Sequence, residues 1–203
     1  MCRSWIIVSF ICVALACPVH GAEGASAAVA QDKAQVLEEK VVEDGPLPRE
    51  AETLSPREVR AVDPAGQDAI DDSITCLART IYWEAKGAGA KDMSAVASVV
   101  LNRLGHDGFP DTICAVVKQG VESKSCQFSW WCDGRPDQVE EEDRYEIAKE
   151  IARKALNQQL QDITGGALYF HDRNVRPSWI KAYRKTGETR HFLFYKPNQA
   201  LAR

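Results

Sequence analysis

The chain has 203 residues and a formal net charge of −4, which suits one domain of ordinary size with additional segments. The sequence contains no internal repeat, P-loop, dinucleotide fingerprint or G-x-S-x-G elbow, which argues against repeat, nucleotide-binding and α/β-hydrolase proteins. From Ser73 onward, 19 Lys and Arg residues stand against 16 Asp and Glu residues, a net of +3. A mildly basic folded part suits an acidic polymer as partner.

The first 22 residues have the layout of a secretory leader. Arg3 precedes an apolar run from Trp5 to Ala16, and small residues follow as far as Ala22. We therefore predict that residues 1–22 are a signal peptide and that the protein is exported, to the periplasm or the cell wall. The run is short for a membrane span, so we expect no span after cleavage. An uncleaved anchor is the alternative.

The next segment, residues 23–72, is rich in Ala and Pro and has many acidic side chains but few large apolar ones. Such a segment buries too little surface to offset the entropy of ordering it. We predict that it is a disordered acidic linker, with a partial helix over 34–42. Residues 73–203 are predicted to form the catalytic domain.

Four cysteines remain after the leader, namely Cys76, Cys114, Cys126 and Cys132. An even number in an exported chain indicates two disulfides, and four cysteines allow three pairings. Cys126 and Cys132 are close enough to close a loop, so we predict the pairs Cys76–Cys114 and Cys126–Cys132. No C-x-x-C pair is present to indicate a structural zinc site.

The stretch from Cys76 to Ala85 is predicted to be the central helix. Its apolar residues recur at three- and four-residue spacing: Leu77, Ala78, Ile81 and Ala85. Glu84 falls beside this apolar stripe, where loss of water raises a carboxyl pKa toward the range of a general acid. Tyr82 and Trp83 flank it with flat surfaces that can stack on sugar rings. The alternative is that Glu84 ends the helix and points into solvent.

Three further helices are predicted from apolar spacing and end signals. Asp92 and Asp111 are the expected caps of the next two, and Asp137 is the expected start of a long one. Residues 167–171 and 189–195 read as two strands that pair as a small hairpin. The predicted fold class is therefore mainly α (α+β).

Two segments between these elements have candidate binding roles. The aromatic stretch 125–134 lacks a helical period and is either a plug in the core or a disulfide-braced substrate wall. The basic segment 173–185 is either a solvated loop or a binding site for an acidic polysaccharide or peptide. Export argues against nucleic acid as its partner.

Together these motifs resemble one family, the cell-wall hydrolases of the SleB/CwlJ type, from about Cys76 to Tyr195. The carrying segments are 78–85, 95–103, 109–113, 127–129, 162–170 and 191–192. The resemblance implies a lysozyme-like, mostly helical domain that cuts the glycan strands of peptidoglycan. It also implies that Glu84 is the catalytic acid.

The resemblance further implies a one-glutamate lytic transglycosylase that needs no metal or cofactor. Glu84 would act first as acid and then as base toward the sugar C6 hydroxyl, leaving a 1,6-anhydro end. The predicted substrate-binding residues are Tyr82, Gln127, Phe128, Ser129, Tyr169, His171 and His191. A two-carboxylate hydrolase would need a partner carboxylate, for which the candidates are Asp92, Asp133 and Asp162.

Two other functions remain open at this point. A zinc amidase that cuts the peptide stem could take ligands from His106, His171, His191 and Glu84, although no H-x-x-x-H or H-E-x-x-H pair is present. A non-catalytic peptidoglycan-binding module would also explain the aromatic residues and the basic segment. In each case we expect a monomer whose partner is peptidoglycan.

Overall fold

The structure, a computed structural model, describes residues 20–123 and 125–198. This part contains six helices: α1 (His20–Val42), α2 (Pro56–Ala61), α3 (Ser73–Ala85), α4 (Ala90–Arg103), α5 (Ile113–Lys118) and α6 (Glu142–Leu156). Three strands follow: β1 (Tyr169–Asp172), β2 (Tyr183–Glu188) and β3 (Phe192–Pro197). The mainly helical fold class with a small antiparallel sheet is confirmed. Most of the predicted leader lies outside the described residues.

Helix α3 is the centre of the core, and it packs against α4, α5 and α6. It begins where the Asp72 carboxylate accepts hydrogen bonds from the backbone N–H groups of Ile74 and Thr75. Its predicted apolar stripe is fully buried, as is most of α4. The Cys76–Cys114 disulfide joins α3 to α5, with 5.3 Å between the two Cα atoms. The predicted pairing of the cysteines is confirmed.

Three predicted helix starts differ from the structure. Asp92 lies in the first turn of α4, where its side chain binds a distant loop instead of capping the helix. The cap of α5 is Thr112, one residue after Asp111. Helix α6 begins at Glu142. Asp137 lies in the loop before it, where the Asp137 carbonyl oxygen accepts a hydrogen bond from Trp83 of α3. These shifts reflect tertiary contacts that outweigh local signals.

The prediction of a disordered linker over residues 23–72 is wrong, although the helix predicted within it over 34–42 is present as part of α1. Helix α1 packs against α2, α3 and α6, and buries Ala30, Ala34 and Leu37 completely. Alanines at four-residue spacing let α1 approach the domain closely, so burial does not require many large side chains. The prediction relied on the average composition of the segment, which does not show the four-residue spacing of these alanines.

Polar contacts also hold this N-terminal segment to the domain. Ser55 caps α2 in a reciprocal arrangement with Glu58. The carboxylate of Asp63 accepts hydrogen bonds from Arg79 Nε at 2.7 Å and from Tyr145 Oη at 2.6 Å. None of the helices in residues 20–198 that the structure describes is long and apolar enough to cross a membrane.

The sheet has the strand order β1-β3-β2, with both pairs antiparallel. The two predicted strands do pair, and Tyr169 lies opposite Tyr195. They do not form a simple hairpin, because β2 lies between them in sequence and pairs with the other edge of β3. β2 belongs partly to the basic segment, where charged and exposed side chains gave no strand signal; such residues are common on edge strands.

Candidate functional site

The last turn of α3 opens into a cleft with a volume of about 610 Å³. Glu84 and Arg103 lie in this cleft, between the loop that carries Gln127 and Ser129 and the outward face of the small sheet. Its walls therefore come from α3, α4, the disulfide-braced loop and the strands. A concave site with aromatic walls and a few converging polar groups is the usual form of a ligand site.

Glu84 is half-buried, and it accepts no hydrogen bond from the residues that the structure describes. Burial raises the pKa of its carboxyl to about 7, while the positive charge of Arg103 opposes this rise. Near neutral pH the side chain is thus divided between acid and carboxylate. A group in that condition can both donate and accept a proton.

Arg103, at the end of α4, was not among the predicted site residues. Its side chain is only 3% exposed, and its Nε donates a hydrogen bond of 2.8 Å to the Leu168 carbonyl oxygen. The guanidinium carbon lies 4.9 Å from the ring centre of Phe128, 5.2 Å from that of Phe109 and 5.6 Å from that of Tyr169. Burial lowers the pKa of Arg103 to about 10, so it remains a cation at neutral pH.

One wall of the cleft is the loop closed by the Cys126–Cys132 disulfide. Gln127 and Ser129 are exposed toward the cleft, whereas the ring of Phe128 between them is fully buried in the core. The loop folds back at Gly120, which has a φ of 95° and whose carbonyl oxygen accepts a hydrogen bond from Ser125 N at 3.0 Å. Phe128 is therefore a plug in the core, as one interpretation of this stretch predicts, and substrate contact by Gln127 and Ser129 stays a prediction.

The opposite wall consists of aromatic residues from the sheet and the turn before it. Tyr169 and His171 line the cleft, together with Trp179 and Tyr183. The Trp179 ring lies edge-on to Tyr183 at 5.2 Å and to His171 at 5.6 Å. Trp179 and Tyr183 were missed as site residues because their segment was recognised only by its charge.

Three predicted substrate-binding residues do not line the cleft. Tyr82 is fully buried, and its hydroxyl accepts hydrogen bonds from two backbone N–H groups at the start of α6. Phe128 faces the core and Arg103. His191 is held by Asp92, with 3.1 Å between Nδ1 and the carboxylate oxygen. For these residues the prediction of substrate contact is corrected, since tertiary contacts already occupy their side chains.

The candidate partner carboxylates already accept hydrogen bonds from other residues. Asp92 accepts hydrogen bonds from Thr189 and His191, and Asp162 accepts them around the turn that begins β1. Asp133 accepts one from the backbone of Arg135. None of these three lines the cleft, but Asp172, which was not considered, does.

The three histidines proposed as ligands of the alternative zinc site do not lie together. His171 lines the cleft, but His106 is exposed elsewhere and contacts the carbonyl oxygen of Asp107, while His191 is paired with Asp92. Within the described residues, no three His, Cys, Asp or Glu side chains are grouped as metal ligands would be.

A half-buried carboxyl in an aromatic cleft on a helical domain is typical of enzymes that act on sugar chains. The sequence profile of the Cell Wall Hydrolase family matches residues 87–195, more than half of the chain. The chain therefore belongs to this family. The matched region begins three residues after Glu84 and therefore does not include that residue.

Comparisons with curated proteins agree with this family. The spore cortex-lytic enzyme of Halalkalibacterium halodurans is 33% identical over 120 residues, covering 58% of this chain and 32% of the relative. That of Oceanobacillus iheyensis is 34% identical over 110 residues, covering 54% and 36%. The chain thus matches about a third of the length of these curated relatives. The crystal structure of the Bacillus cereus SleB catalytic domain is 27% identical with a TM-score of 0.49, covering 61% of this chain and 89% of that one.

Proposed function

We propose that this protein cleaves the glycan strands of peptidoglycan, by a lytic transglycosylase or muramidase type of mechanism, in cell wall remodelling. Membership of the Cell Wall Hydrolase family supports the substrate class. The names of the curated relatives, spore cortex-lytic enzymes, point to the same class of wall polymer. A role in germination does not follow for this chain.

The observation that carries the proposal is the state of Glu84 in the cleft. Its carboxyl is desolvated, has no hydrogen-bond partner among the described residues and has a pKa raised to about 7. Glycosidic cleavage requires a proton donor with this property, because the leaving oxygen must be protonated as the bond breaks. An ordinary exposed glutamate would be ionised at neutral pH and could not supply the proton.

The reaction proceeds in two proton transfers through the same group. Glu84 first gives its proton to the glycosidic oxygen, and the bond from that oxygen to C1 breaks with charge developing on the sugar ring. The resulting Glu84 carboxylate then takes the proton of the C6 hydroxyl while that oxygen bonds to C1. The product carries a 1,6-anhydro end, and Glu84 is again protonated. If water replaces the C6 hydroxyl, the same steps yield a reducing end.

Other residues of the cleft supply binding and orientation. Gln127 and Ser129 offer hydrogen bonds to hydroxyl and acetamido groups, and Tyr169 and Trp179 offer ring faces for stacking. His171 contacts the carbonyl oxygen of Asp172 through Nδ1 at 2.7 Å, which fixes Nδ1 as the donor. Its Nε2 lies 3.2 Å from the hydroxyl oxygen of Tyr195, so the imidazole is held against the sheet.

The test compares the wild-type protein with Glu84→Gln on purified sacculi, followed as loss of turbidity. We expect clearing to fall by at least ~10² to 10⁴, the usual contribution of acid–base catalysis. Binding to insoluble peptidoglycan should persist. Equal clearing by the variant and the wild type would refute the assignment, and binding without clearing by either would indicate a non-catalytic module.

Mass spectrometry of the digest distinguishes the remaining alternatives. Anhydro ends indicate a transglycosylase, reducing ends a muramidase, and freed peptides an amidase.

Export to the periplasm or wall is part of the proposal, because two disulfides are retained more readily outside the cytoplasm.

A further inference from the structure

Among the described residues that line the cleft, Arg103 is a buried charged group that the reaction above does not use. It lines the same cleft as Glu84, and its side chain is 3% exposed. Among the described residues its Nη1 has no hydrogen-bond partner, and none of the ion pairs there includes its guanidinium. A buried cation is costly to retain unless it is paired. Arg103 is held instead by one carbonyl oxygen and three ring faces.

These holding contacts leave the positive charge unneutralised. The face of an aromatic ring attracts a cation without accepting its charge, and a single carbonyl hydrogen bond does not cancel it either. The charges of Arg103 and Glu84 act on each other, since each affects the ionisation of the other. The guanidinium is therefore a fixed, buried positive charge in the wall of the cleft.

We propose that Arg103 is a positioning residue of the reaction, whose fixed positive charge stabilises the Glu84 carboxylate formed between the two proton transfers. This inference depends on the proposed role of Glu84. Burial alone favours the protonated acid, which helps the first transfer but leaves the carboxylate too unstable to persist for the second. A nearby cation reduces this imbalance while Glu84 remains an acid at neutral pH.

Other titratable groups also face Glu84 and must be separated from the effect of Arg103. Tyr169, His171 and Asp172 reach the cleft from β1, and Tyr183 reaches it from β2. A pH–rate profile alone therefore does not identify the group, and a direct titration of Glu84 is needed.

The experiment uses the full exported chain with Arg103→Gln, which removes the charge, and Arg103→Lys, which keeps it. Clearing of sacculi is measured across pH, and the Glu84 carboxyl is titrated by ¹³C NMR with its signal assigned by loss in Glu84→Gln. In the wild type, activity should fall as pH rises through about 7, because the acid form is lost. Arg103→Gln should move both midpoints upward by about one pH unit, since the carboxylate loses a stabilising charge. Arg103→Lys should keep both close to the wild-type values.

An unchanged midpoint in folded Arg103→Gln overturns the proposal. If that variant does not fold, Arg103→Lys decides: a retained midpoint supports the role of the charge, and a midpoint about one unit higher overturns it. Because the NMR titration does not depend on turnover, it tests Arg103 even if Glu84→Gln still clears sacculi. Failure of the proposed function is thus distinguishable from failure of this inference.

Discussion

The carboxylate of Asp63 should be essential for keeping the N-terminal segment on the domain. It is 2% exposed and accepts four hydrogen bonds: from the backbone N–H groups of Gln67 and Asp68, from Arg79 Nε and from Tyr145 Oη. The substitution Asp63→Asn keeps the shape but removes the charge. Arg79, which is 1% exposed, then stays buried as an uncompensated cation.

Breaking a buried ion pair in this way costs about 3–5 kcal/mol, a large part of the roughly 5–15 kcal/mol by which domains are stable. The measurement is urea denaturation followed by fluorescence. Asp68→Asn is the matched control, because the Asp68 side chain is exposed and its loss should change the free energy of unfolding by less than about 0.5 kcal/mol. A loss below about 1 kcal/mol in Asp63→Asn would refute the claim that this pair fixes the segment.

The pH dependence of the same difference gives a second check. Burial by itself would raise the pKa of Asp63, but the hydrogen bonds from Arg79 and Tyr145 outweigh it and hold the pKa below its usual range. The contribution is therefore fully present above the unfolded value of about 4 and is lost as pH falls through the lower folded value. The stability gap between wild type and Asp63→Asn should accordingly be constant from pH 5 to 7 and shrink in stronger acid.

Three other expectations concern the cleft. Because the folded pKa of Glu84 lies above its unfolded value, wild-type stability should decline between about pH 4 and 7, and Glu84→Gln should be relatively more stable at pH 8 than at pH 5 in thermal melts. Replacing Cys126 and Cys132 by Ser should lower the free energy of unfolding by about 2 kcal/mol, the entropy of a short closed loop. It should also slow sacculus clearing at temperatures where the variant is still folded. Gly120→Ala should also impair clearing, because its Cβ would lie 2.1 Å from the Ser125 carbonyl oxygen, whereas retained activity and stability would show that the loop adapts.

The elements that the sequence predicts well are those determined by near neighbours. The stripes of α3 and α4 are periodic, and the short spacing of Cys126 and Cys132 selects one pairing of three. Position beside the α3 stripe was also sufficient to single out Glu84 as a desolvated carboxyl. In these cases the residues that form the sequence pattern are themselves only a few positions apart in the chain.

The missed features depend on partners far along the chain. The alanines of α1 are buried because α3 and α6 pack against them. The β2 segment forms a strand because it pairs with the free edge of β3. Arg103 reads as a routine basic residue at a helix end, yet its environment comes from Phe109, Phe128 and Tyr169. No local pattern contains that information, although Arg103 lies inside one of the segments that carry the family resemblance.

The three rings around Arg103 also determine the order in which the molecule can become active. They come from the loop before α5, the disulfide-closed loop and β1, so three segments of the chain meet at one side chain. The contact with Tyr169, 66 residues along the chain, closes a long loop and should form later in folding than the contact with Phe109, six residues away. A chain that is only partly folded therefore has the Glu84 helix but no cleft. The cleft beside Glu84 is complete only once β1, which carries Tyr169 and His171, has docked.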